Sequence, residues 1–255
     1  MKTIKLDHGK IYCGNLVLVN AEHPCRSENT DGLVSADNRF PQILLGREAV
    51  EGLQRLLEKI SAGSAIVPVS GYRAYEEQVS IYESSLKDNG EEFTKKYVAL
   101  PNHSEHQTGL AIDLGLCQKE IDFLRPEFPY DGICGTFRAA APDFGFIERY
   151  GEGKESITGI AHEPWHFRYV GFPHSKIMKE TDLTLEEYIE FLKDYRYDRR
   201  YSYGQAVGTE AEIYYIPADG NKDTITVPES GACQISGNNV DGLIVTVWRK
   251  RDGQK

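Results

Sequence analysis

The run Leu110-Ala111-Ile112-Asp113-Leu114-Gly115-Leu116 puts a carboxylate in the middle of what otherwise reads as a buried strand. Along such a strand Leu110, Ile112 and Leu114 share one face, while Ala111, Asp113 and Gly115 share the other. The large side chains would anchor the strand, and the small neighbours would leave room over the carboxylate. An ionised aspartate is costly to bury unless it is paired or bound to a metal. The residues alone leave two readings open. Asp113 either closes a structural hydrogen-bond network or ligates a cation.

Of the seven histidines, four fall in two clusters, His103/His106 and His162/His166. A loop carrying His106 could turn at Gly109 and feed the strand that presents Asp113, seven residues on. In the second cluster Trp165, Phe167 and Tyr169 alternate with His166, Arg168 and Val170, so His166 can project from the face opposite the aromatics. Pro164 argues against a helical Glu-x-x-His and for a loop entering a strand. A lone histidine in an aromatic run is commonly a core residue; Glu163 nearby and the His106/Asp113 pair tilt this one toward a ligand.

Two imidazoles and a carboxylate form a donor set that suits zinc, with one ion expected per chain. Zinc lowers the pKa of a coordinated water to about 7. Glu163 would take that proton, and the hydroxide would attack a carbonyl polarised by the metal. Arg73, which follows Ser70-Gly71-Tyr72 at a strand exit, could stabilise the tetrahedral intermediate. Its alternative is a surface arginine at a helix start.

The bulk numbers set wider bounds. With 255 residues and 40% hydrophobic content, the chain can bury a sizeable core. A net charge of -10 argues against nucleic acid or an anionic membrane as a partner. The first ten residues lack an apolar run of signal-peptide length, and no stretch is long and apolar enough to span a bilayer. Five cysteines, without a C-x-x-C pair, read as reduced thiols, so a cytoplasmic protein is expected.

The pattern along the chain reads as α+β: a small central antiparallel sheet carrying the zinc site, flanked by helices, with a C-terminal β extension. Leu16-Val17-Leu18-Val19, within residues 11–20, predicts a strand. Apolar residues from Ala49 to Ile60 predict a helix over 46–61, and Ala65–Val69 a strand. Tyr75, Val79, Tyr82 and Leu86 mark a second helix, stopped at Asn89-Gly90. Residues 117–143 read as irregular. Phe144–Tyr150 and Trp165–Val170 are strand candidates, and the capping-box form Thr184-x-x-Glu187 opens a helix over 184–195. Beyond Tyr201 the composition shifts to short strands, Ile213–Ile216, Thr224–Val227 and Leu243–Trp248, with Asp219-Gly220 supporting a hairpin between the first two. We therefore expect a domain over 1–200 that carries the zinc site and a β-rich extension over 201–255 packed on it. That tail is either a small subdomain or, as the lack of a linker favours, an edge extension of the main sheet.

Three runs, Ser70-Gly71-Tyr72-Arg73, Ser104-x-His106-x-x-Gly109-x-Ala111-x-Asp113 and Glu163-Pro164-Trp165-His166, resemble in order and spacing the zinc D,D-peptidases of glycopeptide resistance. This family comprises the VanX, VanY and VanXY types, relatives of cell-wall D-Ala-D-Ala and L,D-carboxypeptidases. The resemblance covers roughly residues 40–180. It implies metal ligands at His106, Asp113 and His166, a general base at Glu163, transition-state stabilisation by Arg73, and substrate contacts from Ser104 and Gln78. His103 and His162 match no ligand position. Within the family the chain is similar to the VanXY type: the missing export and membrane signals fit it, since VanY proteins are commonly membrane-anchored, and the β tail after Tyr201 is similar to that of the subgroup. That implies cleavage of D-Ala-D-Ala and removal of terminal D-Ala from pentapeptide precursors, so that vancomycin loses its target. Two other functions share the scaffold: a non-catalytic zinc module of the hedgehog kind, against which Glu163 and Arg73 argue, and a cell-wall L,D-peptidase or endopeptidase. The segment 115–143 is expected to shape substrate access.

Overall fold

The computed structural model describes residues 2–5, 8–27, 30–204, 209–218, 224–227 and 232–250. They divide into two compact units, Val19–Thr184 on one side and Met1–Leu18 with Leu185–Lys255 on the other. The chain enters with β1 (Lys2–Lys5), which belongs to the second unit.

In the first unit, β2 (Leu33–Ser35) and β3 (Leu44–Gly46) pair as a short ribbon leading into α1 (Arg47–Lys59). Helix α1 forms where the apolar spacing predicts it. Ala49, Val50, Leu53 and Leu56 fall on one stripe and are buried. Next come β4 (Ile66–Ser70), α2 (Tyr75–Asn89) and α3 (Glu91–Tyr97). Gly90, at φ 83°, separates the two helices. A 3-10 turn over Glu105–Thr108 leads into β5 (Ala111–Leu116). The rest is α4 (Gly132–Ala140), β6 (Phe146–Glu148), α5 (Glu155–Thr158), β7 (His166–Tyr169) and α6 (His174–Thr181).

The central sheet runs in the order β4-β5-β7-β6, with every pair antiparallel. Its two faces differ sharply. Ile112, Leu114 and Phe167 join Leu45, Leu53, Leu56, Phe137 and Phe146 in the main core. On the other face the register sets Ser70 opposite Asp113 and Asp113 opposite His166. Alternation along β5 thus follows the sequence pattern, and strand pairing supplies the partners.

The second unit holds α7 (Leu185–Leu192), β8 (Tyr201–Gly204), β9 (Thr209–Pro217), β10 (Thr224–Val227), β11 (Cys233–Gly237) and β12 (Gly242–Lys250). Four of these strands form a sheet of their own, ordered β11-β12-β9-β8, around Tyr214, Leu243, Val245 and Val247. Among the described residues, the strands of the tail therefore do not continue the edge of the central sheet. Strand β10 pairs with β1 rather than with β9. The expected hairpin turn, Asp219-Gly220, lies outside the described residues.

Two further expectations are corrected. Leu16–Val19 is buried but forms no strand. The Leu16 amide donates to Ser236 Oγ, the Leu18 amide to the Asn238 carbonyl, and Asn239 Nδ2 to the Leu18 carbonyl. Side chains and a loop satisfy these three groups in place of a ladder. Residues 117–143 are not irregular throughout, because α4 lies among them. Gly132 and Gly135 weaken its helical signal, while Cys134 and Phe137, three apart and fully buried, hold it to the core.

Candidate metal centre and active site

Three segments of the first unit meet at the polar face of the sheet. Asp113 stands on β5, and cross-strand pairing brings His166 beside it, Nδ1 lying 2.9 Å from Asp113 Oδ1. His106 arrives from the 3-10 turn, with Nε2 3.2 Å from Asp113 Oδ2. Gly109 makes this approach feasible. It takes φ +68°, a left-handed conformation that turns the chain from His106 into β5. Gly71 serves from the other side. Its carbonyl accepts the Nδ1–H of His106 at 2.7 Å, and a Cβ there would sit 2.3 Å from the Leu44 carbonyl. One donor atom from each of His106, Asp113 and His166 lies within 4.8 Å of the others, and all three residues are buried.

The charges around this point are unusual for a buried surface. Burial alone would raise the pKa of Asp113, but the imidazoles of His106 and His166 outweigh it and hold the group well below the usual carboxylate range. Burial also lowers the pKa of His106. Glu163 stands 3.9 Å from His166 Nδ1. Burial pushes it up to about 8, with His166 opposing and Asp113 adding to the rise. A carboxyl near neutrality can both take and return a proton, as a general base and acid must.

Arg73 is buried as well, which lowers its pKa. It is no surface arginine. Its Nη1 donates to Gln78 Oε1 and its Nη2 to Ser70 Oγ, both at 2.8 Å. Gln78 in turn donates from Nε2 to the Ala99 carbonyl at 2.7 Å. Gln78 therefore holds the guanidinium in place, a contact the sequence did not suggest. Ser104, Gln78, Arg73, Glu163 and the three candidate donor residues all line one pocket, which Phe123 and Leu124 border from the segment after β5. His103 and His162 stand apart from the donor cluster: His103 Nδ1 meets the Asn20 carbonyl at 2.6 Å, and His162 Nε2 meets Tyr130 Oη at 2.6 Å.

Among the described residues, three more charged side chains that the sequence pattern did not single out are buried: Glu105, Arg149 and Arg168. Burial would raise the pKa of Glu105, yet Arg149 and Arg168 hold it ionised. A signal was present for Arg168, which shares the face of His166 two residues on along the same strand. Glu105 sits between Ser104 and His106, directly beside a candidate donor.

A donor triad of two imidazoles and a carboxylate, with a buried carboxyl and a buried guanidinium over one pocket, defines a hydrolytic, metal-dependent class of site. Residues 42–172 match the VanY family, D-alanyl-D-alanine carboxypeptidase, and the chain belongs to this peptidase family. VanXYC of Enterococcus gallinarum, a bifunctional D-Ala-D-Ala dipeptidase and D-Ala-D-Ala carboxypeptidase, is 42% identical over 179 residues, which cover 69% of this chain and 94% of its own. The vancomycin resistance D,D-dipeptidase VanXYg, solved in complex with a D-Ala-D-Ala phosphinate analogue, superposes with a TM-score of 0.96 at 64% identity, covering 97% of this chain and 99% of that one. A VanY D,D-pentapeptidase from a VanB-type resistance cassette, solved with Zn(II), superposes at 0.57 with 29% identity over 69% of this chain and 98% of its own. Membership of a peptidase family sets the non-catalytic module aside. Among the described residues, no helix is long and apolar enough to cross a membrane.

Proposed function

We propose that this protein is a cytoplasmic zinc D,D-peptidase that hydrolyses D-Ala-D-Ala and removes the terminal D-Ala from pentapeptide precursors of peptidoglycan, giving vancomycin resistance. The observation that carries this reading is the convergence of His106, Asp113 and His166 beside Glu163 and Arg73. The donors fit zinc: two nitrogens and one oxygen, all buried, with the carboxylate ionised. A zinc ion held there would supply Lewis acidity to the scissile carbonyl and to a water molecule.

The protein's own groups do the rest. Glu163 takes the proton of the attacking water and returns it to the leaving amine, for which a carboxyl poised near neutrality is suited. Arg73, steered by Gln78 and Ser70, turns its charge toward the oxyanion that develops on the carbonyl. Ser104, buried in the pocket lining, contacts the substrate. Phe123 and Leu124, at the mouth, bear on whether a dipeptide or a longer tail enters.

A time course of D-alanine release from D-Ala-D-Ala and from a UDP-linked pentapeptide, with and without a chelator, tests metal dependence, stereochemistry and length together. Release from both substrates, abolished by the chelator and restored by zinc, is expected. Release from L,D peptides alone, or full activity without metal, would overturn the proposal.

A further inference from the structure

Two buried polar atoms face each other without a hydrogen bond: Nε2 of His166 and Oε2 of Glu105, 3.5 Å apart. The other carboxylate oxygen is fully engaged. Arg149 Nε and Arg168 Nη1 both donate to Oε1 at 2.8 Å, and the side chains of all three residues are 0% exposed. Two guanidinium groups thus hold Glu105 by one oxygen and leave the other, Oε2, 3.5 Å from the imidazole Nε2.

The reason for such an arrangement lies in the tautomers. An imidazole ligates through a bare nitrogen, so its hydrogen must sit on the other one. For His106 the choice is made by the Gly71 carbonyl, which can only accept; the hydrogen goes to Nδ1 and leaves Nε2 facing Asp113. His166 is turned the other way, with Nδ1 toward Asp113 and the donor cluster. Its hydrogen must therefore move to Nε2, and Glu105 Oε2 is the acceptor that faces it.

We infer that Glu105 is a positioning residue that selects the metal-binding tautomer of His166, accepting its Nε2–H through Oε2 while Arg149 and Arg168 hold Oε1. The inference rests on the reading of His166 as a ligand. It gives the two histidines unlike supports, a neutral carbonyl behind His106 and a carboxylate behind His166. Arg149 and Arg168 also keep Glu105 from swinging round to become a ligand itself.

The test is Glu105→Gln in the full chain, with Zn(II) as the probe. The arginines require an oxygen at the Oε1 position, so the amide nitrogen of the variant faces His166. A donor there sends the imidazole hydrogen to Nδ1, the wrong atom for binding. Zinc affinity, measured by competition with a chromophoric chelator, is expected to fall about 10- to 100-fold. Cooperative thermal unfolding of the metal-stripped variant shows that it still folds. A merely structural role would lower the unfolding midpoint and leave the zinc affinity of the folded protein alone. A second measurement needs no variant: long-range 1H–15N NMR of the zinc-loaded protein should show His166 carrying its hydrogen on Nε2. A folded variant with zinc affinity within about twofold of the original, or an Nδ1–H tautomer in the zinc-loaded protein, overturns the inference while leaving the metal site standing. Failure of the unaltered protein to bind zinc removes the site itself.

Discussion

The two faces of the central sheet are buried to almost the same degree by opposite means. Ile112 is 0% exposed and Asp113 is 7%; Phe167 is 0% and His166 is 4%. On one face the strands meet α1 through aliphatic and aromatic side chains. On the other, within one residue's step, lie two histidines, three carboxyl groups and three arginines. An apolar face is its own reward, at roughly 25 cal/mol per Å² removed from water. A charged face is costly until each charge has a partner. The apolar face thus holds the strands in register, and that register lets the other face carry chemistry.

The largest effect should come from breaking the polar face at its centre. With Asp113→Asn the donor triad loses its anion, and D-alanine release should fall by about 10³-fold or more, since the Lewis acidity at stake is worth several kcal/mol. Metal content after dialysis against zinc should fall in parallel. A variant that keeps both would show that Asp113 only closes a hydrogen-bond network. Glu163→Gln comes next. It should lower kcat by about 10²- to 10⁴-fold with zinc still bound, because Glu163 stands beside the donors without belonging to the triad. Loss of zinc together with activity would make Glu163 a ligand instead.

The apolar face should answer differently. Ile112→Ala sits one residue from Asp113, yet it should cost about 2–5 kcal/mol of stability through the cavity it leaves. Urea unfolding would report that loss. Zinc affinity and kcat of the folded fraction should change little. If Ile112→Ala weakened zinc binding as much as Asp113→Asn, the division of labour between the faces would fail.

This division was half legible in the sequence. Alternation of period two placed Asp113 opposite Ile112 and Leu114, and His166 opposite Trp165 and Phe167, before any fold was known. What it could not give is register. That Asp113 pairs with both Ser70 and His166 depends on three strands far apart in the chain. Arg73 shows a different gap: its partners Ser70 and Gln78 lie only three and five residues away, yet their spacing does not show that they will hold it inside the protein. The second unit shows the same limit. Its strands were visible as β-rich segments, but the pairing of β10 with β1 joins residues more than 200 positions apart. Leu16–Val19 misled because an apolar run reports burial, and strand formation also needs a ladder to join.

A third way of burying an ionisable group sharpens the contrast. His174, at the start of α6, is 1% exposed, and burial pushes its pKa down to about 3. Asp113 stays charged because charges surround it; His174 is kept neutral. The sign of the pH effect follows. An unfolded histidine titrates near 6.5, so the stability tied to the neutral ring is whole above that pH and is lost as pH falls toward 3. In metal-stripped protein, His174→Gln should therefore flatten the acid response. Between pH 7 and pH 5 the original chain should lose up to about 2 kcal/mol relative to the variant, read as diverging urea midpoints. Parallel midpoints over that range would mean that His174 accepts a proton without leaving the fold, and burial on this side of the unit would then tolerate charge as the polar face of the sheet does.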